Sequence, residues 1–188
     1  GPETVTAQTR KAAFLDRDGV INIDHGYVSS PQQFEFIDGV FATCRLLQQQ
    51  GYLLIVVTNQ SGIGRGYYTE QQFHQLTDWM KQQFADHGVQ IDAVYFCPHH
   101  PDKALPQYQQ DCNCRKPNPG MLRQAMADFG IDPTQSLMLG DKAADMQAAA
   151  AAGVGRKILV LSGQQLTDTD KQLADEVWPS IASASTLL

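Results

Sequence analysis

The feature that most restricts the fold of this chain is a repeated alternation of short apolar runs with longer amphipathic stretches. Each apolar run has the length of a strand, and each stretch between two runs repeats its apolar residues with helical spacing. Continuous apolar strands joined by helices are typical of a parallel sheet that is covered on both faces. The predicted strands are AAFL at 12–15, YLLIVVT at 52–58, AVYFC at 93–97, SLMLGD at 136–141 and KILVL at 157–161.

Helices are predicted between these strands, and three stretches are expected to be loops. Thr69 and Gln72 have the spacing of a capping box and predict the start of the longest helix. Two of the loops follow strands directly, at the sheet edge where open α/β sheets bind ligands. The predicted helices are 39–49, 69–87, 120–130, 142–153 and a last one at 180–188, a weak sixth strand is at 175–178, and the loops are 19–37, 59–68 and 98–119.

Composition narrows the class of protein. A chain of 188 residues with 43% hydrophobic and 18% charged residues has the composition of one globular domain, which we place at residues 11–188. A net charge of −6 with scattered basic residues argues against a nucleic-acid partner. No apolar run approaches the roughly 20 residues that span a bilayer, so no membrane segment is expected.

The first ten residues are expected to lie outside the fold. Residues 1–10 begin with Gly-Pro, which resembles the remnant of protease cleavage, and they lack the pattern of a secretory signal. We therefore expect a cytoplasmic protein in which Cys97, Cys112 and Cys114 are thiolates or metal ligands rather than disulfides. A monomer is a separate expectation.

Acidic residues follow the first and fourth predicted strands. Asp16 and Asp18 end the first strand, Asp141 ends the fourth, and Asp145 lies one helical turn later. Carboxylates this close repel one another unless a cation lies between them or one is protonated. Asp-Gly is also a common surface turn, so each motif alone has a simpler explanation. Together the carboxylates predict an oxygen-rich site suited to Mg²⁺.

Phosphate-binding groups are expected at the same edge. The second strand ends in TNQSG, residues 58–62, which combines a hydroxyl, an amide and small residues with free backbone N–H groups. Such a stretch is unremarkable as a turn, but Thr58 falls at the strand edge that carries Asp16 and Asp141. Lys116 adds a cation that can hold a phosphoryl group.

These four parts together resemble the haloacid-dehalogenase-type (HAD) phosphohydrolases. The parts are D-x-D-G after the first strand, Thr after the second, Lys before a helix and G-D-x-x-x-D after the fourth strand. The resemblance covers residues 11 to about 162 and implies a three-layer α/β/α sandwich, a Rossmann-like fold with the first strand near the centre of the sheet. No large cap domain is inserted. Val20 departs from the Thr that the family motif usually has, at a position expected to be structural.

The resemblance also implies roles for these residues. Asp16 would be the nucleophile that forms an aspartyl-phosphate, and Asp18 would act as general acid and then as general base. Catalytic Mg²⁺ would be held by Asp16, Asp141 and the backbone carbonyl of Asp18. Thr58 and Lys116 would bind the transferring phosphoryl group. Asp145 is left with an orienting role, toward Lys142 or a metal-bound water.

A second candidate metal site lies in the last long loop. Cys97, His99, Cys112 and Cys114 form C-x-H-x₁₂-C-x-C, three thiolates and an imidazole, which is the ligand set of closed structural zinc sites. The alternative is that the cysteines carry no metal and that His99 is a surface residue. Zinc at 97–114 would pin an otherwise long, proline-containing loop and so hold Arg115 beside the carboxylate edge.

Within the HAD family, the motifs resemble the subgroup that hydrolyses heptose bisphosphates and histidinol phosphate. A substrate with two phosphates suits the chain, because Lys116 can hold one phosphate and Arg115 can make a bidentate contact to the other. The resemblance implies hydrolysis of the 7-phosphate of a small phosphorylated sugar, heptose 1,7-bisphosphate, for bacterial lipopolysaccharide or related glycans. The implied substrate-binding residues are Asp24, His25, Gly26, Tyr27, Thr58, Asn59, Gln60, Ser61, Arg115, Lys116 and Lys142.

Other functions are considered beside this one. A histidinol-phosphate phosphatase would favour an acidic or aromatic pocket over Arg115, and a polynucleotide end-phosphatase is disfavoured by the acidic charge. A zinc-bearing binding module on an inactive phosphatase fold would have lost the nucleophile, yet Asp16 and its partners are present.

Overall fold

The strands form one fully parallel central sheet. The computed structural model describes residues 10–161 and 165–188. Within them the strand order is β3-β2-β1-β4-β5-β6, with each neighbouring pair parallel. The strands are β1 Ala12–Leu15, β2 Leu53–Asn59, β3 Ala93–Cys97, β4 Leu137–Gly140, β5 Arg156–Val160 and β6 Glu176–Trp178. The predicted strands are confirmed, including the weak sixth; β1 and β3 have the predicted bounds, and no bound of the others differs by more than one residue.

Helices cover both faces of the sheet, which confirms the predicted three-layer sandwich. Alternate side chains of β1 point to opposite faces, so Ala13 and Leu15 belong to one apolar cluster and Ala12 and Phe14 to the other. The first cluster packs under α1 and α3, the second under α4 and α5. The described helices are α1 Val40–Gln49, α2 Ser61–Gly64, α3 Glu70–Asp86, α4 Gly120–Phe129, α5 Ala143–Ala151, α6 Asp168–Gln172 and α7 Ala184–Leu187.

Helix ends agree with the sequence where capping motifs are present. The backbone N–H of Gln72 donates to the Thr69 hydroxyl at 3.1 Å and the Gln72 side chain accepts from the Thr69 backbone at 2.8 Å, so the capping box of α3 is confirmed. The short helix α6 was not predicted, although Thr167 and Asp170 form a second capping box before it.

Two predictions of irregular or helical structure were wrong in detail. The stretch 59–68 contains α2, although its two glycines have low helix propensity. Packing requires a glycine at position 64, because a Cβ there would lie 2.4 Å from the Pro98 carbonyl oxygen. The final helix 180–188 is divided, since Ile181–Ser183 is a 3₁₀ turn and only Ala184–Leu187 is α-helical.

The first described residue, Arg10, contacts the fold just before the predicted start of the domain. Residues 1–9 lie outside the described part of the chain, but Arg10 pairs with Ile131 and its backbone N–H donates to the Gly130 carbonyl at 3.3 Å. Arg10 is therefore part of the fold. Among the described residues, every helix is too short or too polar to cross a bilayer.

Candidate active site and metal centres

The acidic residues meet where the order of the sheet changes direction. Strands β1 and β4 are neighbours, while the chain after β1 continues to β2 and the chain after β4 continues to β5. The carboxyl ends of the strands at such a switch point form a crevice, the usual ligand site of open α/β sheets. Asp16 follows β1 and Asp141 follows β4, and the backbone N–H of Asp16 donates to the Leu139 carbonyl at 3.1 Å.

Lys116 lies at the centre of this crevice. Its ammonium group is 3.0 Å from Asp16 Oδ1 and 2.6 Å from Asp145 Oδ1, and it donates to the Val57 carbonyl at 2.8 Å. Lys116 is 4% exposed. Burial lowers the pKa of Lys116, but the carboxylates of Asp145 and Asp16 outweigh burial, so the pKa is raised and the side chain is a cation.

Asp141 differs from Asp16 and Asp145 in its hydrogen bonding. It is fully buried, and neither of its oxygens has a hydrogen-bond partner among the described residues. Burial, followed by the charge of Asp16, raises the pKa of Asp141 to about 9. One carboxylate oxygen each from Asp16, Asp141 and Asp145 lies within 4.8 Å of the others. Buried, unsatisfied oxygens close to a second carboxylate fit a hard divalent cation such as Mg²⁺.

Asp145, whose role the sequence left open, is already engaged on both oxygens. Oδ1 contacts Lys116, and Oδ2 accepts the backbone N–H groups of Asp141 at 3.1 Å and Lys142 at 3.2 Å. The carboxylate therefore caps the start of α5 and orients Lys116. It contacts the backbone of Lys142 rather than its ammonium group, and its oxygens are less free for a metal than those of Asp141.

Asp18 lies at the entrance and is held by three donors. Oδ1 accepts from the Arg17 guanidinium and from the Asn22 amide, each at 3.0 Å, and Oδ2 accepts from Gln60 at 3.1 Å. Arg17 is 2% exposed and also donates to the Val28 carbonyl at 2.9 Å. Sequence reasoning missed Arg17 and Asn22, since a residue between two catalytic aspartates gives no sign that it turns back into the core.

Gly19 shows why the first motif ends in glycine. Its φ is +93°, and a Cβ at this position would lie 2.0 Å from Asp141 Oδ2. The backbone after Asp18 can pass over Asp141 only because Gly19 has no side chain.

The residues at the end of β2 and just after it organise the site. Asn59 exchanges two hydrogen bonds with the backbone of Lys116, at 3.0 and 3.1 Å. Gln60 donates to the Thr58 hydroxyl at 2.9 Å, and Thr58 is fully buried. Asn59 therefore ties β2 to the loop that carries Lys116.

A cavity of about 440 Å³ opens above these groups. It contains most of the residues predicted to bind substrate. Its lining includes Asp18, Asp24, Gly26, Tyr27, Asn59, Gln60, Ser61, Tyr68, Arg115, Lys116 and Lys142. Two predicted residues are placed elsewhere: Thr58 lies beneath the cavity, and His25 pairs with Glu35 at 3.1 Å beside a separate cavity of about 250 Å³.

The cysteine cluster lies behind the wall of this cavity. The three sulfurs of Cys97, Cys112 and Cys114 are 2.9 to 3.4 Å apart, and His99 Nδ1 is 3.5 Å from Cys114 and 3.7 Å from Cys97. Ligands of tetrahedral zinc with Zn–S bonds of about 2.3 Å would lie roughly 3.5–3.8 Å apart. The four predicted side chains therefore converge as a ligand set, and none of the cysteines is in a disulfide.

Without a metal, the sulfurs of this cluster share their protons unequally. The hydrogen bond between Cys97 and Cys114, with help from Cys112 and His99, lowers the pKa of Cys114 to about 5, and the same contact raises the pKa of Cys97. Zinc binds cysteines as thiolates, so its binding to this cluster would release the protons of the remaining thiols. The cluster is therefore chemically as well as geometrically compatible with zinc.

The fold is that of HAD-like hydrolases, as comparison with known families shows. The family model described as HAD-hydrolase-like matches residues 113–184, which include Lys116, Asp141 and Asp145. A parallel sheet with carboxylates after β1 and β4 and a lysine between them defines this class.

Whole-chain relatives make the assignment specific. The chain is 54% identical over 172 residues to a D-glycero-beta-D-manno-heptose-1,7-bisphosphate 7-phosphatase of Vibrio cholerae, covering 92% of each chain. It is 52% identical over 176 residues to the protein of that name from Escherichia coli K12, covering 94% of this chain and 92% of the other. A crystal structure of D,D-heptose 1,7-bisphosphate phosphatase from B. bronchiseptica, complexed with magnesium and phosphate, superposes with a TM-score of 0.79 at 32% identity, covering 94% and 97%. The chain belongs to this family of HAD-like phosphatases, so it is a phosphoric monoester hydrolase.

Proposed function

We propose that this protein removes the 7-phosphate of D-glycero-D-manno-heptose 1,7-bisphosphate through an aspartyl-phosphate on Asp16. The observation that carries the proposal is the cavity that has Lys116 at its base and Arg115 in its wall. Two separated cations suit a sugar with a phosphate at each end. The names of the relatives in Vibrio cholerae and Escherichia coli support the same substrate.

The catalytic cation is proposed to be Mg²⁺, held by Asp16, Asp141 and the backbone carbonyl of Asp18. Support comes from the two buried oxygens of Asp141, which have no hydrogen-bond partner in the described part of the chain. Magnesium bound there would offset the repulsion between the carboxylates and the phosphate, and would lower the pKa of both carboxyl groups.

In the proposed mechanism, Asp16, Asp18 and Lys116 each have a distinct role. A carboxylate oxygen of Asp16 attacks phosphorus, the P–O bond to the sugar breaks, and Asp18 gives its proton to the leaving oxygen. Asp18, now ionised, takes a proton from the water that hydrolyses the aspartyl-phosphate, which releases inorganic phosphate and restores both groups. Lys116 stabilises the charge on the phosphoryl oxygens.

The remaining cavity residues are proposed to position the substrate. Arg115 binds the phosphate that does not react, and Lys142, whose pKa is raised by Asp16 and Asp141 against the effect of burial, stays cationic beside the reacting phosphate. The other proposed contacts come from Asp24, Gly26, Tyr27, Asn59 and Ser61. Thr58 and Gln60 support these groups from beneath, and His25 would need to turn away from Glu35 to take part.

The cysteine cluster is proposed to hold structural zinc through Cys97, His99, Cys112 and Cys114. Support comes from the close approach of three sulfurs and one ring nitrogen. Its consequence for function is positional, because Arg115 and Lys116 directly follow Cys114.

The test is phosphate release with Mg²⁺ from heptose 1,7-bisphosphate and, in parallel, from histidinol phosphate, with Asp16→Asn as the blank. We expect a preference for the bisphosphate of at least about 100-fold, since the second phosphate adds a charge-assisted pair with Arg115. A preference for histidinol phosphate would contradict the substrate and leave the nucleophile standing. Unchanged release by Asp16→Asn would contradict the nucleophile. A single domain over residues 11–188 and a monomeric, cytoplasmic enzyme stay predictions, the monomer to be checked by light scattering.

A further inference from the structure

A hydrogen-bond chain in the site begins at Tyr68, a residue that the proposed mechanism does not use. Tyr68 is 5% exposed, and its hydroxyl donates to Oε1 of Gln60. Nε2 of Gln60 donates to Asp18 Oδ2 at 3.1 Å and to Thr58 Oγ1 at 2.9 Å. Both ends of the Gln60 amide are therefore engaged, and one of its N–H groups faces the proposed acid–base residue.

The two oxygens of Asp18 are not equivalent. Oδ1 accepts from the charged guanidinium of Arg17 and from Asn22, whereas Oδ2 accepts from the neutral amide of Gln60. A proton is held more easily on the oxygen that has no cationic donor. Oδ2 is therefore the oxygen suited to give and take protons, and Gln60 is the group that directs it.

Gln60 can direct Oδ2 only while its amide keeps one orientation. If the amide turned by half a rotation, Oε1 would face the Asp18 carboxylate, and two acceptors would oppose each other. A donor at the far end of the amide prevents this turn, and the Tyr68 hydroxyl is that donor. Burial raises the pKa of Tyr68 to about 12, so the hydroxyl keeps its proton near neutral pH.

We propose that Tyr68 is a positioning residue that acts through Gln60 to keep Asp18 Oδ2 aligned for proton transfer. The proposal rests on the proposed function, in which Asp18 is the general acid and base. Tyr68 also lines the cavity, so its test must separate alignment of Asp18 from direct contact with the substrate.

The test compares Tyr68→Phe, Gln60→Ala and the double variant on two phosphate esters. Heptose 1,7-bisphosphate has an alkoxide leaving group that needs protonation, and p-nitrophenyl phosphate has one that does not. We expect Tyr68→Phe to lower kcat/KM about 10-fold for the sugar ester and less than about 2-fold for the aryl ester, because only the first depends on the acid. The double variant should lose no more than Gln60→Ala alone.

The division of the loss between kcat and KM gives a second readout. Because Tyr68 is proposed to align Asp18 rather than to bind the substrate, Tyr68→Phe should lower kcat for the sugar ester and leave KM unchanged. Tyr95→Phe is the matched control, because the Tyr95 hydroxyl donates to Asp128 at 2.6 Å on the surface of α4, away from the cavity. It should leave kcat and KM unchanged for both substrates.

Several outcomes would overturn the proposal. Equal losses on both esters, additive losses in the double variant or a rise in KM with unchanged kcat would each assign Tyr68 a structural or direct binding role. Hydrolysis of the aryl ester but not of the bisphosphate by the unmodified protein would contradict the substrate alone, and glycerol phosphate would then serve as the alkyl ester. Release from neither would overturn both proposals.

Discussion

The carboxylate site and the cysteine cluster are connected through Lys116, which lies two residues after Cys114, but they are assembled in opposite ways. The carboxylates extend from the ends of buried strands, and the protein itself supplies part of their counter-charge through Lys116. The cysteine cluster combines the end of β3 with a loop, and its sulfurs, buried at Cys97 and partly buried at Cys112 and Cys114, have mainly one another as partners. The sheet therefore preorganises the first site without a metal, whereas the second is proposed to depend on zinc to hold its loop.

The dependence of the carboxylate site on its internal cation is the prediction with the largest expected effect. Lys116→Met leaves Asp16 and Asp145 buried without their cation, and it removes the proposed phosphate ligand. We expect kcat/KM to fall by roughly 10²–10³-fold and the free energy of unfolding to fall by about 3–5 kcal/mol. Phosphate release and urea denaturation measure the two effects.

A surface ion pair provides the control for this experiment. Lys157 contacts Asp175 at 3.1 Å, and the Asp175 side chain is 47% exposed. Lys157→Met should cost no more than about 1 kcal/mol, because solvent screens an exposed pair. Equal stability of the two variants would show that the carboxylate site does not depend on Lys116.

The second prediction concerns the cysteine cluster. Cys114→Ser should abolish stoichiometric zinc binding, increase hydrogen exchange in residues 98–111 and lower kcat/KM about 10- to 100-fold, because Arg115 and Lys116 lose their anchor. Exchange in the central strands should stay slow. Metal analysis, hydrogen exchange and phosphate release make the three measurements.

Cys44 is the matched control for the cluster. It is fully buried in α1, and burial raises its pKa to about 12, so it is an unreactive thiol outside the metal ligand set. Cys44→Ala should keep the zinc content and the exchange of the loop unchanged. Loop exchange that is the same in Cys114→Ser and Cys44→Ala would show that the loop is held by packing rather than by metal.

The smallest expected effect is a pH-dependent stabilisation by Mg²⁺. The pKa of Asp141 is raised from 3.8 to about 9 in the metal-free fold. As pH rises, the carboxyl group therefore ionises in the unfolded chain before it ionises in the fold. The free energy of unfolding falls between about pH 4 and pH 9 as a result. Magnesium competes with that proton. The rise in Tm on adding Mg²⁺ should therefore be larger at pH 8 than at pH 6, by a few degrees.

Asp141→Asn tests the origin of this effect. The variant should lose the Mg²⁺-dependent rise in Tm and, without metal, be more stable than the unmodified protein at pH 8. A rise in Tm that is independent of pH, or one that persists in Asp141→Asn, would place the cation elsewhere.

Much of the fold and part of the site follow from local sequence. Asp16, Asp18 and Asp141 end strongly apolar strands, and parallel strands bring such ends to one edge whatever the loops do. The four members of the cysteine cluster were predicted from ligand type and spacing alone. The helix α2 was missed because Gly62 and Gly64 contradict its local propensity, and contacts with distant residues decide its form.

The sequence by itself determined the order of strands and helices, the identity of the acidic, basic and thiol groups, and the edge at which the acidic groups emerge, because these depend on periodicity and strand ends. Only the tertiary structure decided which polar and charged groups pair with each other. Asp145 turns to Lys116, Arg17 returns into the core to hold Asp18, Tyr68 reaches Gln60, and His25 turns to Glu35. These hydrogen-bond and ion-pair partners are either far apart in sequence or one of several groups within reach. Burial selects one pairing, because an unpaired polar group in the interior costs too much free energy.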